Sequence, residues 1–170
     1  MSDITEKQNE NIFFDDEYYM RRALDQAQIA AEAGEVPIGA VAVCDGMIIA
    51  RAHNSVEILK DATAHAEILV LSIAAESRGD WRMEDVTIYV TKEPCAMCAG
   101  AMVNSRVKRV VFGMADPRSG ACGSALDVTG FPGMLWNVEV TPGILAEESA
   151  AMIQDFFRKI RKEKKKKDEL

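Results

Sequence analysis

Between residues 13 and 33 apolar side chains recur every three or four positions, the period of an amphipathic helix. Asp15 and Asp16 stand near its start and Gly34 just past its end, as helix termini prefer. The period then shortens. VPIGAVAV (36 to 43) and MIIARA (47 to 52) are strand-like runs separated by Cys44-Asp45-Gly46, whose Asp-Gly pair favours a tight hairpin. A polar loop follows, after which residues 64 to 77 return to helical spacing with Thr63 as the expected cap. VTIYVT (86 to 91) is a short, nearly continuous apolar strand; a helix from Pro94 to about Ser105 and the strand RVVFGM (109 to 114) complete a strand-helix-strand unit, which implies a parallel crossover. Gly-rich residues 116 to 133 form a loop region, NVEV (137 to 140) is a weaker strand, and residues 145 to about 166 make a long last helix.

These elements predict an α/β fold, a three-layer α/β/α sandwich with a central mixed sheet of about five strands and helices on both faces. With no internal repeat and no Pro/Ser-rich linker, one domain is expected over residues 13–160, preceded by a flexible N-terminus (1–12) and followed by a basic C-terminal tail (161–170). In such sheets binding sites lie at the carboxyl ends of strands, where helices begin.

Composition narrows the surroundings. At 170 residues and 48% hydrophobic content the chain can bury a substantial core. No run approaches the ~20 apolar residues of a membrane span, and the polar, acidic start lacks the pattern of a signal peptide, so a cytoplasmic protein is expected. The final Lys-Asp-Glu-Leu then reads as the end of a charged helix and not as a retention address. Four cysteines in a reducing compartment favour metal binding or catalysis over disulfides. Residues 158 to 170 hold eight Lys or Arg against three acids, a charge of +5, while residues 1 to 157 hold twelve against twenty-four, a charge of −12. The body repels phosphate, so a nucleic-acid partner needs a local basic footprint; the tail offers either that or a solvated helix end.

Cys95 and Cys98, in the stretch EPCAMC, are three apart, so a helix puts both sulfurs within one turn. Pro94 suits the first helical position, and the positive end of the helix dipole favours thiolates. Alone, this pair fits a redox site as well as a metal site. The segment TAHAEI adds His65 and Glu67. Two Cys and one His give zinc three protein ligands and leave a position open, the pattern of catalytic sites, where a bound water's pKa falls to about 7. Glu67 then becomes the proton shuttle. Residues i and i+2 do not face each other on an ideal helix, so His65 is expected in an irregular first turn. His53, in RAHNSV, could complete a closed structural site, and Cys44 and Cys122 read as buried small hydrophobes.

H-x-E with P-C-x-x-C is the signature of zinc deaminases, met here by His65-Ala66-Glu67 and Pro94-Cys95-Ala96-Met97-Cys98. Together with EVPIGAVAV, DATAHAEI, IYVTKEPCAMCAGAM, SRVKRVVFG, DPRSGACGS and DFFRKIR, it makes residues 17 to 161 resemble the bacterial tRNA adenosine deaminases. That resemblance implies a cytidine deaminase-like fold and hydrolytic deamination of adenosine to inosine at the wobble position of a tRNA anticodon. It also implies a homodimer holding one Zn²⁺ per subunit. His65, Cys95 and Cys98 match the zinc ligands and Glu67 the shuttle. Asn54 matches the asparagine that contacts the target nucleoside, and Val36 and the Ala66 backbone match the purine pocket. Asp116, Phe156, Phe157 and Arg158 match regions that hold the anticodon stem-loop, where stacking on aromatic and guanidinium planes suits unpaired bases.

Each RNA contact has a plainer alternative: Phe156 and Phe157 divided between core and stacking, Asn54 as a loop cap, Asp116 as a turn former before Pro117. The sequence also departs from the family pattern, with Leu135-Trp136 where Asn-His is common, and Trp136 becomes a candidate stacking residue. That departure and the acidic body keep a deaminase of a free purine such as guanine, or of a free nucleoside, as the alternative. A structural zinc or redox CxxC module is the non-enzymatic one.

Overall fold

The computed structural model describes residues 14–169. Asp15 caps the first helix, its side chain accepting the Tyr18 backbone N–H at 2.9 Å. From there α1 (Asp16–Glu32) buries Tyr19, Met20, Ala23, Leu24, Ala27 and Ala30, the stripe its periodicity predicted. The hairpin β1 (Gly39–Cys44) and β2 (Met47–His53) turns through Asp45 and Gly46 at φ of 50° and 75°, the left-handed pair that a two-residue turn requires. After a short helix α2 (Val56–Leu59) come α3 (Ala66–Arg78), β3 (Val86–Lys92), α4 (Ala96–Asn104), β4 (Arg109–Met114), β5 (Glu139–Thr141) and α5 (Ala146–Asp168).

The sheet order is β2-β1-β3-β4-β5. β1 is antiparallel to β2 and β3, whereas β3, β4 and β5 run parallel, so the sheet is mixed and the crossover through α4 is the expected one. Alternation along the strands sorts the core into two layers. Ala40, Ala42, Ile88, Val90, Val110 and Phe112 face α3 and α4, while Val41, Val43, Tyr89 and Val111 face α1 and the start of α5. The α/β/α sandwich is therefore present, with helices on both faces of five strands. No helix among the described residues is long and apolar enough to cross a membrane.

Local departures from the expected boundaries matter for the site. Val36 and Pro37 precede β1 and do not join the ladder, since Pro37 has no N–H to give it; the chain turns there, Ile38 N–H donating to Val36 at 2.8 Å. Thr63 does not cap α3. Its N–H and hydroxyl both bond Asp61, and His65 takes the cap with extended backbone, φ −74° and ψ 150°. Pro94 is not the first residue of α4, because Cys95 holds the cap position and Pro94 lies before it. The polar loop after β2 contains α2, too short for a period to reveal. The last helix runs two residues beyond the expected end, α5 continuing unbroken through residue 161 to Asp168. The first dozen residues lie outside the described residues.

Gly39 fixes how closely α1 approaches the sheet. A Cβ there would run into the Ala23 carbonyl oxygen and the Ala27 backbone nitrogen, both main-chain atoms that cannot swing aside. Gly39→Ala is therefore expected to cost about 1 to 3 kcal/mol or more and to lower Tm by several degrees in thermal unfolding. An unchanged Tm would mean that α1 is not held at this distance.

Candidate metal centre and substrate cleft

The starts of α3 and α4 meet at the carboxyl end of β3. His65 caps one helix and Cys95 the other, and Cys98 stands one turn into α4. His65 Nδ1 lies 3.7 Å from Cys95 Sγ and 3.6 Å from Cys98 Sγ, and one ligand atom from each residue falls within 4.8 Å of the others. This is the spacing of three ligands around one ion. Among the described residues no fourth His, Cys, Asp or Glu joins the group. His53 Nδ1 contacts the Asn54 carbonyl at 3.1 Å, which leaves it a satisfied strand-end histidine. Cys122 is buried as expected, but Cys44 is half-exposed, its sulfur accepting from Arg78 at 3.2 Å and facing Asp85 at 3.4 Å.

The His65 cap resolves the i, i+2 difficulty. Extended backbone at the cap turns the imidazole to the sulfurs, while Glu67, in the first turn, is 4% exposed and shares their electrostatic surroundings. Burial is the main cause that pushes the Glu67 carboxyl up to about 7. The Cys95 thiol is pulled down to about 3, first by hydrogen bonding with Cys98 and then with His65. Cys98 moves the other way, raised by Cys95 and by burial, and His65 is raised by its bond with Cys95. A thiolate and a proton-seeking imidazole thus face each other across the space that a cation would occupy.

His65 also lines a cleft of about 380 Å³ together with Val36, Asn54, Phe156 and Phe157. Five of the sequence-selected residues therefore converge on one opening. Ala66 is fully buried at the first position of α3, between His65 and Glu67, and is not part of the cleft wall. Neither phenylalanine belongs to the core. Phe156 is half-buried and Phe157 is 41% exposed, and their rings meet edge to face at 5.4 Å. Arg158 lies outside the cleft wall, exposed and paired with Asp155 at 3.0 Å.

Asp116 is committed to its own turn, accepting Lys92 at 2.5 Å, the Ser119 hydroxyl at 2.5 Å and the N–H groups of Arg118 and Ser119. Burial opposes ionisation there, but these donors, Lys92 first, hold its carboxyl well below the usual range. Trp136 is half-buried. It packs against the core and its Nε1 donates to the Val107 carbonyl at 2.8 Å, before the start of β4, one strand length of about 20 Å from the metal end.

Sequence reasoning passed over two buried acids beside named residues. Glu93 accepts the N–H groups of Asp116, Cys122 and Ser124 and the Ser124 hydroxyl, which staples the 116–124 loop to the segment carrying Cys95. Ala121 N–H adds a bond to the Pro94 carbonyl at 2.8 Å. Glu35 bonds Asn54 and the backbone of α2. Both acids sit in quoted motifs, EVPIG and KEPC, but an acid's partners there lie 19 to 31 residues away and no local pattern shows them.

An open mixed sheet with a His-Cys-Cys donor set at two facing helix starts is the arrangement of the cytidine deaminase-like deaminases. The profile of the MafB19-like deaminases matches residues 14–161, and the chain belongs to that family. It is 50% identical over 150 residues to a tRNA-specific adenosine deaminase of Bacillus subtilis strain 168, spanning 88% of this chain and 93% of the relative. Among solved structures it is similar to one from a study of A-to-I editing by tRNA:A34 deaminases, with TM-score 0.77, 42% identity, and coverage of 79% of this chain and 98% of that one. A guanine deaminase from Nitrosomonas europaea shares the fold at TM-score 0.73 and 23% identity, over 84% of each chain.

Removing Glu93 strands three backbone N–H groups and a hydroxyl next to the cysteines. Glu93→Ala is expected to destabilise the fold by roughly 3 kcal/mol or more, read as a loss in denaturant midpoint. A midpoint within error of the parent would show that the loop is not held by this side chain.

Proposed function

We propose that the chain is a zinc-dependent hydrolase that deaminates adenosine to inosine at the wobble position of a tRNA anticodon. The observation that carries this proposal is the triangle of His65, Cys95 and Cys98 with buried Glu67 beside it, joined through His65 to the cleft that Val36 and Asn54 also line. The 50% identical relative from Bacillus subtilis bears the matching activity in its name. The substrate is assigned from that likeness and from the aromatic pair at the cleft.

The donors fit zinc. Zn–S of about 2.3 Å and Zn–N of about 2.0 to 2.1 Å at tetrahedral angles require N···S separations of about 3.5 to 3.6 Å, and the two observed values are 3.6 and 3.7 Å. When bound by three protein ligands, such an ion supplies a Lewis acid that lowers the pKa of a water from 15.7 to about 7. The protein does the rest. Glu67, buried beside the three donors, is the group placed to accept a proton and give it up again. It takes a proton from the attacking water and delivers it to N1 of the purine as the C6–O bond forms. It then moves the second water proton to the amino group, and ammonia leaves as the C6–N bond breaks. Water is consumed, ammonia and inosine are formed, and no redox change occurs.

Val36, Asn54 and the Ala66 backbone hold the flipped nucleoside, which must leave its stack to reach the centre. Phe156 and Phe157 offer ring faces and edges at the cleft for neighbouring bases, worth about 1 to 3 kcal/mol per stacked base. Asp116 contributes through the turn that it organises with Lys92, and Arg158 opens the basic stretch of α5 that follows the anticodon stem-loop. A cytoplasmic homodimer with one zinc per subunit is part of this proposal. Exposed Leu135, at 99%, and its neighbours Phe131 and Met134 offer apolar area for a subunit contact.

Purified protein should carry about one zinc per chain and release ammonia from an anticodon stem-loop bearing a wobble adenosine. Glu67→Ala should keep the metal and lose at least 10²-fold in kcat. Turnover of guanine, adenosine or cytidine alone, with none of the stem-loop, would overturn the tRNA assignment, and a metal-free protein with a reversible Cys95–Cys98 disulfide would point to redox chemistry.

Truncation after Phe157 removes eight Lys or Arg. It should weaken stem-loop binding and flatten the dependence of log K on log salt. An identical slope in a salt titration would leave the end of α5 as a solvated helix.

A further inference from the structure

Glu35 is a buried acid to which the mechanism above gives no task. It follows Gly34, where φ of +80° turns the chain out of α1, and its N–H bonds the Ala30 carbonyl at 2.9 Å. At 1% exposure the side chain has lost its water, so whatever it bonds must replace that water. Its Oε1 accepts the Ile58 N–H at 2.8 Å, in α2. Its Oε2 accepts Nδ2 of Asn54 at 3.4 Å, at the long end of the hydrogen-bond range. Among the described residues these are its two side-chain partners.

Asn54 is itself buried, at 6% exposure, and lines the same cleft as His65. An asparagine amide has two ends of nearly equal size and opposite chemistry, one a donor and one an acceptor. Nothing in its shape decides which end meets the substrate. Glu35 decides it, because a carboxylate oxygen at one side accepts N–H and repels C=O. The Asn54 backbone is held independently, its N–H bonding the Ile38 carbonyl at 2.9 Å, so the choice left open is the turn of the amide. Its Oδ1 makes no hydrogen bond within the described residues and is not among their sealed, unpartnered polar atoms, so it stays accessible on a residue that lines the cleft.

We propose that Glu35 is a positioning residue that locks the Asn54 amide with Nδ2 inward and Oδ1 toward the cleft, so that the site presents an acceptor to an N–H or O–H donor of the bound nucleoside. The second bond, to Ile58, ties α2 to the same carboxylate and holds residues 54 to 58 as one rim. This proposal rests on the deaminase assignment and adds to it the polarity of one contact.

The test is a polarity swap in the zinc-loaded enzyme, read as kcat/KM on the anticodon stem-loop. Asn54→Asp keeps an acceptor toward the cleft but sets a carboxylate against Glu35, and is expected to lose tenfold or more. In Glu35→Gln/Asn54→Asp the glutamine can keep its oxygen on Ile58 and give its N–H to residue 54, and is expected to recover about tenfold over Asn54→Asp alone. Tm should follow the same cycle, with the double variant above Asn54→Asp. A double variant no better than Asn54→Asp in both readouts, or losses that simply multiply, would overturn the proposal. The two failures stay distinct. A wild-type enzyme inactive on the stem-loop counts against the tRNA assignment, while the Tm cycle still decides whether residues 35 and 54 are coupled.

Discussion

The structure depends on bringing two helix starts within ligand distance of each other. α3 and α4 lie on the same face of the sheet, α4 starting just after β3 and α3 after the loop that holds α2, and their cap residues His65 and Cys95 arrive together at the carboxyl edge of β3. Helix starts carry free N–H groups and a positive dipole end, which favours thiolate and carboxylate there. Had His65 been one residue further into the helix, its imidazole would have pointed elsewhere. The extended cap conformation, not the helix, makes the triangle.

The rigidity of that edge comes from carboxylates whose hydrogen bonds cross the chain. Glu93 gathers donors from the 116–124 loop behind Cys95, Asp116 organises its turn against Lys92, and Glu35 spans Asn54 and α2. Glu93 in particular sits where the buried Cys122 N–H would otherwise go unpaired. The acidic body, at −12 before residue 158, is in part this internal scaffolding and not a surface made to repel nucleic acid. The cleft above it is lined on one side by residues of the β1 approach and on the other by α5, whose exposed basic end continues away from the domain.

Much of this was legible in the sequence because it is periodic or local. Helical stripes in α1 and α3, the Asp-Gly turn and the apolar runs of β1, β3 and β4 all follow from side chains meeting neighbours two to four residues away. The H-x-E and C-x-x-C spacings were legible for the same reason, and the likeness to a known family joined them into one site. Boundaries failed where a residue had two good uses. Thr63 is a fitting cap but bonds Asp61, Pro94 fits a first helical position but stands ahead of Cys95, and Trp136 could stack a base but is anchored to the Val107 carbonyl.

By itself, then, the sequence determined the secondary elements other than α2, the three metal-ligand candidates and the acid beside them, since each is written in short spacings or residue type. Only tertiary structure decided that His65 faces both sulfurs, that Val36, Asn54 and Phe157 share one cleft, and that Glu35 and Glu93 hold it in shape. Those pairings join residues 19 to 33 or more positions apart, and which distant groups meet is fixed by how helices pack across a sheet, a property that no window along the chain contains.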